Sequence, residues 1–158
     1  MVWGASAYNT RSLLVLFRGT MTAQRYVHEI LQPHVLPLMQ RLAGAIFQQD
    51  NARPHTARVS QDCLRTITTL PWPARSPDLS PIKHIWDHLG RRVGHPTSLN
   101  KLEARLQQIW NEMSQDIIQN FCRQPSLRSN FNQNEKLYAL EDKPHSFFRR
   151  TYCSMGTY

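Results

Sequence analysis

Apolar positions along the chain change period several times, and each change marks an element. Residues 2–7 and 12–18 read as two strands joined by Tyr8-Asn9-Thr10-Arg11, a polar connection suited to a hairpin turn. Leu13-Leu14-Val15-Leu16-Phe17 is unbroken rather than alternating, the pattern of a strand covered on both faces, and Gly19-Thr20 ends it. From Thr22 a helix is predicted with Tyr26, Val27, Ile30 and Leu31 on one face; Pro33 and Pro37 must bend or interrupt it. Ala45-Ile46-Phe47 is a short apolar run that delivers Gln48, Gln49 and Asp50 to its end, where Asn51 and Pro54 break the chain. Residues 55–66 read as helix and residues 67–70 as a β-branched strand.

Four prolines, at 71, 73, 77 and 81, make the next stretch an ordered loop. Pro81 is a favourable first-turn residue for a helix running to about Val93, which Gly94-His95-Pro96 stops. Leu99, Leu102, Leu106, Ile109, Trp110, Met113, Ile117 and Ile118 then recur at helical spacing, and Asn100 with Glu103 resembles a capping box. After about Asn120 the remaining aromatics show no steady period, so no element is predicted there. Strands and helices alternate through residues 1–120, which implies one α/β domain followed by a divergent tail, residues 121–158.

Composition narrows the class. At 158 residues and 41% hydrophobic the chain can bury a core. Nineteen Lys and Arg against eleven acids give a net charge of +8, a balance that suits DNA or RNA, although a basic domain without such a partner is equally consistent with charge alone. Cys63, Cys122 and Cys153 are few and widely spaced, which argues for a reducing compartment. The longest apolar run, residues 13–17, is too short for a membrane span or a signal-peptide core. A nuclear or cytoplasmic location follows.

Candidate chemistry concentrates in Gln48-Gln49-Asp50-Asn51-Ala52-Arg53-Pro54-His55-Thr56-Ala57. An acid at the end of a buried strand holds its carboxylate on rigid backbone, as a metal site requires; the bland alternative is a solvated Asp opening a turn. A second segment, Trp72-Pro73-Ala74-Arg75-Ser76-Pro77-Asp78-Leu79-Ser80-Pro81-Ile82-Lys83-His84-Ile85-Trp86, follows it. Together they resemble the mariner-type DDE transposases, whose pattern reads FxQDNxxxHT and then WPxxSPDLNPIExxW. The resemblance extends from about Val2 to Asn120, with Met1-Val2-Trp3-Gly4 resembling the start of the family's second strand.

The resemblance implies an RNase H-like fold, a mixed sheet flanked by helices. It implies DNA as partner, a nuclear location, action in homo-oligomeric assemblies, and Mg²⁺ or Mn²⁺ as cofactor. Three carboxylates then hold two divalent ions, one activating water or a DNA 3′-hydroxyl and the other stabilising the leaving oxygen. Asp50 matches the second acid and is the expected metal ligand. The family's third acid, the Glu of PIExxW, is here Lys83. An ammonium about 4 Å from a unit positive charge is disfavoured by on the order of 4 kcal/mol at an effective dielectric of 20, and each ion is doubly charged. Thirty-two residues, 51 to 82, separate Asp50 from Lys83, slightly fewer than the family's usual spacing. The first acid is expected on a strand before Trp3, the central strand of the sheet. Without it, the strands of residues 2–7 and 45–50 would face a gap or meet directly, and the chain would be of low stability alone.

Other residues carry competing readings. Asp87 lies one helical turn beyond Lys83 and is a weak substitute for the missing acid. His55 either supports the metal site, touches DNA phosphate, or packs the following helix; Arg53 beside it is a phosphate contact by type. Arg91 and Arg92 either track a DNA backbone or are a solvated pair. His84 and His88 share a helix face in an HxxDH arrangement, but the Glu of a zinc peptidase and a third ligand are lacking. Trp86, Trp110 and the leucine face at residues 99–118 read as core, with a dimerisation helix as the sharper alternative. The chain therefore reads as a transposase catalytic-domain segment that lacks the means to cut DNA, or as a non-enzymatic nucleic-acid-binding or transposase-partner protein derived from one.

Overall fold

The computed structural model describes residues 1–7, 10–71, 81–122 and 136–142, with backbone alone at 81–83, 121–122 and 136–142. Six strands form one mixed sheet: β1 (Val2–Ala7), β2 (Thr10–Arg11), β3 (Val15–Leu16), β4 (Ile46–Gln48), β5 (Thr69–Leu70) and β6 (Lys136–Asp142). Their order is β2-β1-β6-β4-β5, and β3 also pairs with β1. Two layers of helices cover the sheet, giving the three-layer arrangement expected for this fold class.

One layer is built from α1 (Ala23–Tyr26), a π-helical stretch (Val27–Val35) and α2 (Leu36–Arg41), which follow one another without interruption. Thr22 caps the start, its hydroxyl oxygen accepting from Arg25 N at 3.2 Å. Pro33 does not interrupt this helix. It sits in the wider π turn, where its missing N–H and its ring are absorbed by the altered register, and Pro37 falls in the first turn of α2, where no N–H is needed. Tyr26, Ile30, Leu31 and Val35 from this layer pack on Trp3, Ala5 and Phe47 of the sheet.

The other layer is α5 (Pro81–Val93), α6 (Leu99–Glu112) and α7 (Gln115–Cys122). Ile85, Trp86, Leu89 and Val93 meet Leu102, Leu106, Ile109 and Trp110 here, and Val2 and Leu14 join them from below. The Trp86 and Trp110 rings stack at 5.9 Å. Gly4 lies under Trp110; a Cβ there would sit 3.1 Å from the indole, tighter than an ordinary contact, so the ring would have to shift by a few tenths of an ångström. The buried indole N–H of Trp110 donates to Ser12 O at 3.0 Å. From Leu102 to Ile118 the leucine face is core, whereas Leu99 at its start is half exposed.

Several expectations need correction. Residues 12–18 do not make one strand covered on both faces. The Ser12 hydroxyl oxygen accepts from Ala5 N at 2.9 Å, the Arg11 guanidinium is tied to Met113 O and Asn111 O, and Leu13 is turned out, 68% exposed. The side chains of residues 11 and 12 thus interrupt the ladder, leaving two short strands on an edge. Residues 55–66 divide into α3 (Arg53–Thr56), α4 (Arg58–Cys63) and a 3₁₀ turn, because Ala57 is extended at φ −62°, ψ 143°. Helix α6 is capped by Ser98, whose Oγ accepts from Lys101 N at 3.3 Å, rather than by an Asn100–Glu103 box. An extended Met113 separates α6 from α7.

The largest correction concerns the centre of the sheet. β1 and β4 neither face a gap nor meet directly. β6, from the tail for which no element is predicted, lies between them, antiparallel to β1 and parallel to β4.

Candidate functional site

Asp50 sits two residues beyond the end of β4, and the short-range chemistry of its motif fixes it there. Its Oδ1 accepts from Ala52 N at 3.0 Å, which closes an Asx turn. Pro54 then fits the first turn of α3, where a missing N–H is harmless. That turn brings His55 back over the carboxylate. Its Nδ1 stands 2.7 Å from Asp50 Oδ1 and 3.2 Å from Asp50 O. Both neighbours are acceptors, so Nδ1 carries the hydrogen and donates.

The imidazole is itself clamped. It is buried, 1% exposed, with its ring 4.3 Å from that of Tyr26. The Tyr26 hydroxyl donates to Gln49 Oε1 at 2.5 Å. The carbonyl of His55 accepts from Gln61 Nε2 at 2.9 Å and Gln49 Nε2 at 3.5 Å, while the Ser60 hydroxyl donates to Pro54 O at 2.6 Å. Tyr26, Gln49, Ser60 and Gln61 were not singled out from sequence. Gln49 alone gave a signal, as part of the motif; the others come from helices whose contact with α3 is tertiary.

The arrangement holds one carboxylate, about one third exposed, at the mouth of a cleft of about 230 Å³ lined by Gln49, Asn51, Thr56, Gln61 and Thr69. His55 is placed to orient Asp50, and its burial keeps it from a bulky partner. Arg53 is exposed at the start of α3 and is not among the residues lining the cleft. Lys83 lies in the first turn of α5. Arg91 and Arg92 are exposed in the last turn of that helix, about 12 Å further along its axis by helical rise. The site residues thus divide into a compact Asp50–His55 pair and a separate basic helix end. Asp87 is exposed. His88 has its pKa lowered by burial, then by the charges of Arg92 and Arg91, and Arg92 Nη1 is 3.5 Å from its Nε2. Among the described residues no three His, Cys, Asp or Glu side chains gather as metal ligands, so the zinc reading of His84 and His88 gains no third partner. Asp78 and the proline-rich stretch at 72–80 lie outside the described residues.

β6 adds a feature with no counterpart in the motif reading. Its parallel register sets Tyr138 beside Gln48, and the strand runs on to Glu141 and Asp142, opposite Trp3 and Val2 of β1. Two acids thus reach the edge of the sheet at which β4 delivers Asp50.

Residues 1–107 match the family described as DDE superfamily endonuclease. The Tcb2 transposase of Caenorhabditis briggsae is 33% identical over 125 residues, covering 75% of this chain and 45% of that protein. The chain thus spans less than half the length of this curated relative. The human histone-lysine N-methyltransferase SETMAR is 39% identical over 79 residues, 44% of this chain and 11% of that protein. The catalytic domain of the Mos1 mariner transposase superposes with a TM-score of 0.63 at 26% identity, covering 76% of this chain and 64% of that one. Another Mos1 catalytic-domain structure, 24% identical and with the same TM-score, is described with Raltegravir and Mn.

Proposed function

The chain belongs to the DDE superfamily endonuclease family, and from that premise we propose that it is a transposase-derived catalytic domain that binds nucleic acid without cutting it. The observation that carries this is Lys83, which stands on α5 at the position of the family's third acid. A two-ion centre needs three carboxylates to offset four positive charges. With Lys83 where the family's motif has Glu, the chain offers two divalent ions one carboxylate fewer and one positive charge more. Asp50 also spends its Oδ1 on the Ala52 amide and the His55 imidazole, which serves the turn.

Binding rests on the basic charge. Arg53 at the start of α3 and Arg91 with Arg92 at the far end of α5 are exposed cations suited to phosphate contact. The site of action is then the nucleus, on transposon ends or related DNA, and self-association follows the family's habit. No helix among the described residues is long and apolar enough to cross a membrane.

Incubation with Mn²⁺ and labelled transposon ends should give no nicking. Binding should weaken with salt, its slope falling by about one for each phosphate-contacting Arg removed. Metal-dependent nicking abolished by Asp50→Ala overturns the non-cutting reading. A second reading, a co-opted non-enzymatic partner protein, is favoured by the likeness to a segment of SETMAR, a protein named for a different activity. Salt-insensitive capture of a transposase together with absent DNA binding would select it.

A further inference from the structure

We propose that residues 136–142 are the keystone of this domain: the lane between β1 and β4 is a strand acceptor that the chain fills with its own tail. The inference is independent of whether the chain cuts DNA. β1 gives all six of its residues to β6, from Val2 opposite Asp142 to Ala7 opposite Leu137. β4 gives all three of its residues to the other edge of β6. Among the described residues β1 and β4 share no ladder, so β6 alone joins the β1-β2-β3 half of the sheet to the β4-β5 half.

The lane is deeply buried. Trp3, Ala5, Ser6 and Phe47 on its walls are each fully or almost fully inaccessible. Empty, it would leave a row of backbone N–H and C=O groups on both walls without partners in the interior of the protein. It also selects its occupant. One wall requires an antiparallel strand and the other a parallel one, so a single polarity satisfies both. The residue opposite Gly4 is Leu140, and the residue opposite Ala5 is Ala139. Lys136–Asp142 is therefore an integral strand of the sheet.

Hydrogen exchange on the intact chain tests occupancy. The amides of 137–141 should exchange as slowly as those of Val2–Ala7; exchange at unstructured rates while Val2–Ala7 stays protected overturns the proposal. Register is tested by cysteine pairs in the full chain. Ala5 exchanges its backbone bonds with Ser12 on the far side, which makes Ala5 and Ala139 a non-hydrogen-bonded pair facing each other. The Cα separation of such a pair, about 4.5 Å, suits a disulfide. Ala5→Cys with Ala139→Cys should cross-link on mild oxidation, as mapped by peptide mass, and Ala5→Cys with Leu137→Cys should not. Cross-linking of the second pair instead, or of neither, overturns the assigned lane.

Discussion

β4 and β6 lie side by side at the centre of the sheet, yet opposite kinds of interaction hold them. The end of β4 is a local construction. Asp50 bonds Ala52 and His55, and His55 O takes the amide of Gln61, all within about a dozen residues. β6 is placed by partners distant in sequence. Its partners are Val2–Ala7, more than a hundred residues away, and Ile46–Gln48, ninety away. A site assembled by short-range bonds keeps its geometry when distant contacts weaken. A strand paired to partners so distant in sequence should form late and open with the whole sheet.

This contrast can be broken by measurement. Phe47 is the large apolar anchor of β4, fully buried under the π-helical layer. Phe47→Ala should cost about 3–5 kcal/mol in urea unfolding. Ala139→Pro removes a ladder donor from a central strand and should cost about 3 kcal/mol or more; exchange protection should fall in β1 and β4 together. His55→Ala takes a buried partner from Asp50 and should cost about 1–3 kcal/mol, with protection in β1 and β6 little changed. If His55→Ala unprotects β6 as fully as Ala139→Pro does, the distinction between local site and global sheet fails. Asp50→Asn keeps an acceptor for Ala52 N and for His55, so its cost should stay at about 1 kcal/mol or less.

The smallest effect is in pH. His34 has its pKa lowered by burial, and its ring lies 6.1 Å from that of Trp3; His88 is lowered by burial and by Arg92 and Arg91. In both, the folded state resists protonation more than the unfolded chain does. Stability is therefore full above the ordinary histidine value of 6.5 and declines as pH falls below it. A urea midpoint that falls between pH 7 and 5, and falls less in His34→Gln with His88→Gln, is the expected result. A midpoint that rises on acidification would contradict the burial of these rings.

Part of the site was legible because its logic is short-range: Asp50 follows an apolar strand, and Asn51 and Pro54 break the chain after it. The role of His55 stayed open in the sequence, and only the folded turn brings its Nδ1 to Asp50. The contribution of Tyr26 was invisible, since it reaches Gln49 only when the π-helical layer packs on the sheet. Helix α5 and the leucine spacing of α6 were likewise written in the periodicity, whereas the break at Met113 was not, because a single extended residue leaves the apolar rhythm intact.

By itself the sequence determined the family motif, the place of Asp50 near a strand end and a Lys at position 83, all of which are properties of residue identity and near-neighbour spacing. Only the tertiary structure decided which strand fills the middle of the sheet. Lys136–Asp142 has no distinctive pattern, and what makes it a strand is the unsatisfied backbone of β1 and β4 on either side, brought together by packing that no window of sequence contains.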